Sequence, residues 1–438
     1  MKNKTLAADH ELVACHECDL VQRKIHAGPG ATVRCRRCNG VLYQHPDKSL
    51  DHAIAWSLAG LILLTLANVF PVVTLSVGGL QTQTSLFSGA IALSRAGQFG
   101  VAALVIGVLI VAPALLFLLQ IAVLQPLRRD RLVPHFVLFM RILSNLSHWL
   151  MFDVFMLAII VAVVKLSHLA EVSPGPGLWA FLGLMVASIV SVTAYDQHSV
   201  WDRYSELTRK RSALNLHAHA GATGHGHRSA LSRGLVGCPM CGLISHWHAG
   251  AGGSHCPRCG AGLHPRKTDS LARTWALLIA GYVLFIPANL LPITITSSLF
   301  GVQSDTIMSG VAYFWSEGSY DLAIVIFTAS VFVPMAKLLA LTFLTFSAQR
   351  RMRWEPLQRT RLYRMVEFVG KWSMLDIFVV AMLAQLVQFS SLAAIEAGPG
   401  AIAFAAVVVV TMFAALSFDS RLLWDPLEQR CHTGEKRG

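Results

Sequence analysis

The chain says the same thing twice, about 220 residues apart, and that doubling limits what it can fold into more than any other feature. Cys15-x2-Cys18 with Cys35-x2-Cys38 opens the first copy, and Cys238-x2-Cys241 with Cys256-x2-Cys259 opens the second. Asn68-x2-Pro71 recurs as Asn289-x2-Pro292, Ser88-Gly89 as Ser309-Gly310, Gly97 as Gly318 and Pro113 as Pro334. Trp149-x3-Asp153 recurs as Trp372-x3-Asp376, Pro176-Gly177 as Pro399-Gly400, and Trp201-Asp202 as Trp424-Asp425. The offset stays between 221 and 223 throughout. A repeat this long sets domain count and topology together.

What repeats is mostly apolar. Hydrophobic residues make up 54% of the chain and charged residues 14%, where a soluble chain carries about a quarter charged. The apolar residues gather into runs near the roughly 20 residues that cross a bilayer as a helix. Eight spans are expected: 53–77, 99–125, 148–168 and 178–196, then 271–296, 321–347, 372–394 and 400–418. The polar first 52 residues lack the short basic segment and apolar core of a signal peptide.

The net charge of +12 is placed unevenly. Arg23, Lys24, Arg34, Arg36 and Arg37 crowd the start, and Arg128, Arg129 and Arg131 fill one loop. Arg203, Arg209, Lys210 and Arg211 follow, then Arg350, Arg351, Arg353, Arg359, Arg361 and Arg364, then Arg430, Lys436 and Arg437 at the end. Between them, 78–98 holds only Arg95, and 169–177, 297–320 and 395–400 hold no base. Positive residues stay in the cytoplasm, so both termini, the 197–270 segment and both cysteine clusters are expected there. Such placement fits anionic lipid head groups rather than nucleic acid. Four spans return a copy to its starting side, so the copies are parallel repeats about an axis normal to the membrane. The expected fold class is an all-α polytopic membrane protein built from two four-helix units. A small β-rich cytoplasmic zinc ribbon precedes each unit. The expected layout is a ribbon at 1–50, a unit at 51–200, a basic His-rich linker at 201–235, a ribbon at 236–266, a unit at 267–420 and a tail at 421–438.

Two CxxC pairs separated by 16 residues, and two separated by 14, suit a tetrahedral four-thiolate zinc site. The metal ligands are Cys15, Cys18, Cys35 and Cys38 in one ribbon and Cys238, Cys241, Cys256 and Cys259 in the other; Cys431 is left over. A unit of about 30 residues has too little core to fold without such a staple. Disulfides are disfavoured in a reducing cytoplasm. Redox chemistry is the other rival, because Cys238-Pro-Met-Cys241 looks like a redox dithiol. A redox CxxC usually stands alone on a thioredoxin-like unit, which the paired spacing does not resemble. A closed four-thiolate site is structural. His217, His219, His225 and His227 in the linker read as flexible chain, with weak accessory metal binding as the alternative. His246, His248 and His255 could compete as ligands in the second ribbon.

An ionisable residue within a span is costly and marks a functional candidate. Lys337 lies 13 residues before Arg350, roughly 20 Å into the bilayer at 1.5 Å per residue. Asp376 lies five residues beyond Lys371 in the next, antiparallel span, where it could pair with Lys337. Ser330, seven residues before Lys337, and Ser373, three before Asp376, share their faces, and Thr411 sits mid-span in the last helix. The bland readings are an interfacial Asp376 and a structural ion pair. In the first copy Asp153 matches Asp376, but Leu116 and Leu109 stand where the second has Lys337 and Ser330. Lys165 lies near the outer end of its span, where it could snorkel to the interface. The Asn-x2-Pro motifs are either helix terminators or broken helices lining a cavity.

Pro287-Ala-Asn-Leu-Leu-Pro292, Asp305-Thr-Ile-Met-Ser-Gly310, Trp315-Ser-Glu-Gly-Ser-Tyr320, Val366-Glu-Phe-Val-Gly-Lys-Trp-Ser-Met-Leu-Asp-Ile-Phe378 and Asp419-Ser-Arg-Leu-Leu-Trp-Asp425 resemble the paraquat-inducible protein A (PqiA) family, which includes the LetA proteins. The resemblance covers nearly the whole chain and is strongest in its second half. It implies an inner-membrane protein with tetraspanin-like four-helix units. The implied partner is a periplasmic MCE-domain protein, in a system that moves phospholipid between the inner and outer membranes. It also implies a polar cluster at Ser330, Lys337, Ser373, Asp376 and Thr411, with Lys165 as a further polar position. The expected function is exchange of lipid between the inner membrane and the MCE tunnel, not catalysis. A passive anchor for the MCE protein and a membrane thiol oxidoreductase are the rivals. No Walker motif is present, so ATP is not expected to act on this chain directly.

Overall fold

The computed structural model describes residues 12–427 except 26–27, 29, 45–49, 78–79, 96, 98, 148–149, 151, 168–170, 212–228, 248–254, 299–300, 373–377, 379–387 and 390–392. The chain opens with two antiparallel hairpins, β1 (Leu12–Ala14) with β2 (Val21–Arg23) and β3 (Thr32–Arg34) with β4 (Val41–Gln44). These strands of three or four residues frame the first four cysteines. Helix α1 (Leu50–Val69) follows. Then come a hairpin of β5 (Val73–Val77) and β6 (Leu80–Thr84), α2 (Leu86–Arg95) and α3 (Phe99–Ile106). Helix α3 runs through a π-turn at Gly107–Val111 into α4 (Ala112–Arg128). Helices α5 (Phe136–Leu146) and α6 (Phe152–Ser167), strand β7 (Glu171–Pro174), α7 (Pro176–Ala194) and α8 (Gln197–Arg211) complete the first half.

The second half shows the same order among its described elements. A hairpin of β8 (Leu235–Gly237) and β9 (Ile244–His246) precedes α9 (Ser270–Leu290). A hairpin of β10 (Thr294–Ser298) and β11 (Gly301–Asp305) leads to α10 (Ile307–Ser316) and α11 (Tyr320–Phe327). A π-turn at Thr328–Phe332 feeds α12 (Val333–Gln349), followed by α13 (Pro356–Trp372), β12 (Gln388–Phe389), β13 (Ala393–Ala397) and α14 (Pro399–Ser417). Each π-turn sits just before Pro113 or Pro334. Proline has no N–H for the carbonyl four residues back, and an inserted residue absorbs that mismatch.

Among the described residues six helices are long and apolar enough to cross a membrane: Leu50–Val69, Phe99–Arg128, Pro176–Ala194, Ser270–Leu290, Ala323–Gln349 and Pro399–Ser417. They correspond to six of the eight expected spans. Helix α6 has 16 residues, short of the usual length. The expected span 372–394 lies almost wholly outside the described residues.

Two expectations need correction. The expected spans 53–77 and 271–296 are shorter in the structure, because their helices end at Val69 and Leu290 and strands follow. The membrane unit is also not purely helical. In the first half β5 lies between β6 and β7, and in the second β10 lies between β11 and β13. Each sheet ties the loop after the first span to the loop before the last. The repeated Asn-x2-Pro and Pro-Gly motifs are two sides of this tie. Asn68 Nδ2 donates back to the Leu64 carbonyl and Asn289 Nδ2 to Phe285, each at 2.8 Å. Past the helix end, Gly177 N–H donates to Pro71 O and Gly400 N–H to Pro292 O, each at 2.9 Å. A Cβ on Gly175 or Gly398 would stand 2.2 or 2.3 Å from that same proline carbonyl, so only glycine allows the approach.

In lipid, apolar burial supplies no driving force between helices, so close packing must. Gly60 of α1 faces the ring of Phe117, and Gly281 of α9 faces Leu338 of α12, with 2.6 and 2.9 Å left for any added Cβ. The halves share one apolar core. Phe155 meets Phe378 edge-on at 5.3 Å, and Phe404 and Val408 of α14 join a cluster with Val105 and Leu109.

The ribbons cross over. The first ribbon packs against the end of the second half, where its four cysteines share an apolar cluster with Leu344, Tyr363, Phe418, Leu423 and Trp424. The second ribbon packs against the first half, with Val123, Leu127, Phe136, Val200 and Trp201. The repeated Trp-Asp pairs are the docks. Asp202 takes Arg258 of the second ribbon at 2.7 Å and Lys24 of the first at 2.9 Å. Asp425 takes Arg266 at 2.6 Å, and the Arg37 guanidinium stacks 4.5 Å over Trp424. Burial works to raise the Asp202 carboxyl, but hydrogen bonds from Arg258 and Lys24 outweigh it and hold the group below its ordinary range.

Candidate functional site: two thiol centres and buried polar clusters

Each CxxC turn is a knuckle closed by backbone bonds. Asp19 N–H donates to Cys15 O, and Gly242 and Gly260 do the same to Cys238 and Cys256. Asp19 and Asn39 take positive φ in the first ribbon, and Gly242 and Gly260 in the second. All eight cysteines are buried, free thiols. Within each group the four sulfurs lie within 4.8 Å of one another, and Cys15–Cys38, Cys18–Cys35, Cys238–Cys259 and Cys241–Cys256 are each 3.5 Å apart. A tetrahedral ion with sulfur at 2.3 Å spaces its ligands by about 3.8 Å, so both donor sets fit a four-thiolate metal. Hydrogen bonds from Cys238 and Cys241 push the Cys256 thiol down to about 2, and hydrogen bonds with Cys238 and Cys256, together with burial, push the Cys241 thiol up. His246 and His255 are exposed and stand outside the four-thiol group. His217, His219, His225, His227, His248 and Cys431 lie outside the described residues.

The first ribbon grips the second half directly beside its cysteines. Arg364 of α13 donates to the Glu17 carboxylate at 2.8 Å and to the Cys38 carbonyl at 2.8 Å. Glu17 in turn lies 3.6 Å from the Cys38 sulfur.

Lys337 is buried on α12, 2% exposed, and its Nζ has no hydrogen-bond partner among the described residues. The amine points at Gly370 of α13 and stands 3.6 Å from where a Cβ would be. Ser330 is buried in the π-turn, two turns up the same helix line. Thr411 is buried on α14 and donates to its own backbone at Val408. Its methyl and the Leu338 side chain both line Gly281, so α9, α12 and α14 converge beside Lys337. Ser373 and Asp376 lie outside the described residues, and so does the Lys165 side chain. Asp153 is exposed in the first turn of α6, where its charge faces the positive end of the helix dipole.

A second polar cluster escaped the sequence reading. Gln120 Oε1 accepts from Ser57 at 2.9 Å and from Ser191 at 2.7 Å, and the two serine oxygens are 3.0 Å apart. All three are buried, and together they tie α1, α4 and α7. At the repeat offset their counterparts are Leu278, Leu341 and Ala414, which pack in one apolar cluster. Lys337, conversely, faces Leu116 across the repeat. The copies therefore hold their polar groups in complementary places. Pairwise comparison of the copies could have found the triad; single serines in a helix drew no notice, because they commonly bond back to their own backbone.

Six apolar spans, tied sheets at one end and two four-thiol ribbons at the other define a polytopic membrane protein with metal-ribbon platforms. The chain belongs to the paraquat-inducible protein A family, whose profile matches residues 50–205 and 271–428. It is 32% identical over 424 residues to the intermembrane transport protein PqiA of Escherichia coli K12, covering 96% of each chain. It is 30% identical over 419 residues to the lipophilic envelope-spanning tunnel protein A of the same organism, covering 94% of this chain and 91% of that one. A probable intermembrane transport protein of Haemophilus influenzae is 29% identical over 441 residues, 97% of this chain and 98% of its own. No solved structure matches the chain.

Proposed function

We propose that the chain is the inner-membrane member of an MCE-type intermembrane lipid transport system, exchanging phospholipid between that membrane and a periplasmic MCE tunnel protein. The observation that carries this reading is Lys337, an amine in an apolar span with no partner among the described residues. A buried charge without a partner costs several kcal/mol, so a ligand that supplies the opposite charge recovers that cost on binding. A phospholipid phosphate does so from within the bilayer. The relatives' names, intermembrane transport protein and envelope-spanning tunnel protein, point the same way.

In this reading eight spans form two parallel four-helix units, with the ribbons and both termini in the cytoplasm and one structural zinc ion in each ribbon. The Cys15, Cys18, Cys35, Cys38 set and the Cys238, Cys241, Cys256, Cys259 set hold the ions, which fix the ribbons that brace the two units. Ser330, Ser373 and Thr411 surround the lipid head group at Lys337, and Asp376 takes part in proton coupling with the amine. Lys165 and Asp153 mark the corresponding region of the first unit. The test is lipid crosslinking from photoreactive residues around Lys337, paired with lipid traffic in Lys337→Ala. Phospholipid adducts at that depth and loss of traffic are expected; normal traffic in Lys337→Ala with the folded protein in the membrane refutes the reading.

A further inference from the structure

The end of the molecule opposite the ribbons is not the same in the two halves. From Tyr320 to Gln349 the chain is helical throughout, which at 1.5 Å per residue is about 45 Å. Arg350, Arg351 and Arg353 mark the ribbon-side boundary and the apolar span begins at Ala323, so the start of α11 and the turn before it stand at the far boundary. Helix α10 pairs with α11 across a turn at Gly318 (φ +79°) and is about 15 Å long, so the two form a hairpin whose turn lies at the far membrane boundary. A capping box roots it, with Thr306 and Ser309 each satisfying the other's backbone.

The tip is aromatic and exposed. Tyr313, Trp315 and Tyr320 are 56%, 54% and 53% exposed, and Trp315 meets Tyr320 edge-on at 5.0 Å. Within α10 only Ile307 is buried. The tip is also acidic. Glu317 and Asp321 pair with no base among the described residues, and residues 291–329 contain no Lys, Arg or His. The matching hairpin of the first half is built differently. Leu86 and Ala90 of α2 are buried in the shared core, and Ala92, Ser94 and Phe99 stand where the second half has Tyr313, Trp315 and Tyr320.

Exposed Trp and Tyr are the residues that anchor protein interfaces. An anionic head-group layer would be repelled by unpaired carboxylates at the tip. We propose that the aromatic, acidic tip of the α10–α11 hairpin docks a basic segment of the protein partner on the far side of the membrane. This rests on the tunnel-partner reading above and assigns it a contact. The aromatic rings fill apolar notches on the partner, and the carboxylates steer and align its bases.

The experiment uses the full chain in nanodiscs of phosphatidylethanolamine and phosphatidylglycerol, titrated with the purified tunnel partner. Trp315→Ala with Tyr320→Ala weakens binding roughly tenfold or more. Glu317→Lys with Asp321→Lys lowers the association rate and flattens its salt dependence. Phe99→Ala in the first half leaves binding unchanged. A photoreactive residue at Tyr313 crosslinks to the partner. Two metal ions per chain and an unchanged elution profile establish that each variant is folded. Wild-type binding by the hairpin variants, or a crosslink to lipid alone, overturns the docking assignment and leaves the tunnel reading standing. A wild-type chain that binds no partner overturns both.

Discussion

Replacing Gln120 with leucine converts one member of the first half's buried triad to its counterpart in the second half, Leu341. The change removes the shared acceptor of two hydrogen bonds, at 2.9 Å from Ser57 and 2.7 Å from Ser191. Interhelical hydrogen bonds in membranes contribute about 0.6 kcal/mol each and at most about 1.7. Ser57 keeps its bond to the Ala53 carbonyl, and the two serines keep each other at 3.0 Å, so neither hydroxyl is orphaned. The expected loss is therefore about 1–2 kcal/mol. The triple variant Ser57→Leu, Gln120→Leu, Ser191→Ala carries the complete trio of the second half. Removing every partner of a buried polar group at once is close to neutral, so the triple variant should be at least as stable as the single one. Equilibrium unfolding of the purified protein in mixed detergent micelles measures both. If the triple variant loses about the sum of three independent core substitutions, or the single variant loses nothing, the hydrogen bonds do not tie α1, α4 and α7.

Purified protein is expected to carry two zinc ions per chain by elemental analysis, and Cys35→Ser to carry one. Because the first ribbon docks on the second half, Cys35→Ser should raise amide exchange around Tyr363 and Phe418–Trp424 and leave α1 unchanged; loss of protection confined to the first half would contradict the crossed arrangement. The Gly370→Val side chain would reach the Lys337 amine, and it should abolish lipid crosslinking there while leaving metal content unchanged. Asp419 accepts from Arg421 and from the Lys267 backbone; burial works to raise its carboxyl, but these partners hold it below its ordinary 3.8. That stability is present above pH 3.8 and is lost as pH falls through the depressed value. Asp419→Asn should thus cost about 1–3 kcal/mol at pH 7, with the gap to wild type narrowing only below about pH 4 in unfolding titrations.

The helices, the thiol groups and Lys337 were legible because each rests on local pattern: apolar runs, CxxC spacing, a charge inside a span. The far-side sheets were not legible. Strands β5 and β10 are five residues each and directly follow a span, so hydropathy merges them with the helix. Their partners β7 and β13 lie about a hundred residues downstream. The ribbon crossover was hidden for a related reason. Each ribbon and the unit after it are neighbours in sequence, while the contacts that decide the docking, such as Glu17 with Arg364, span the chain. The Asn-x2-Pro motif had two readings from sequence; the helix ends there, and its carbonyl is used at once by a glycine N–H.

The crossed ribbons give the protein an order of assembly. The first ribbon leaves the ribosome before any span, yet its dock at Phe418–Trp424 is made last. It must wait until the final helix has been made. Only then does Asp425 meet Arg266, the residue that also holds Asp19. The clasp therefore reports that synthesis has finished. A chain cut short before its last helix leaves the first ribbon undocked, a ready mark for proteases, and the first half made alone carries a ribbon whose dock is missing.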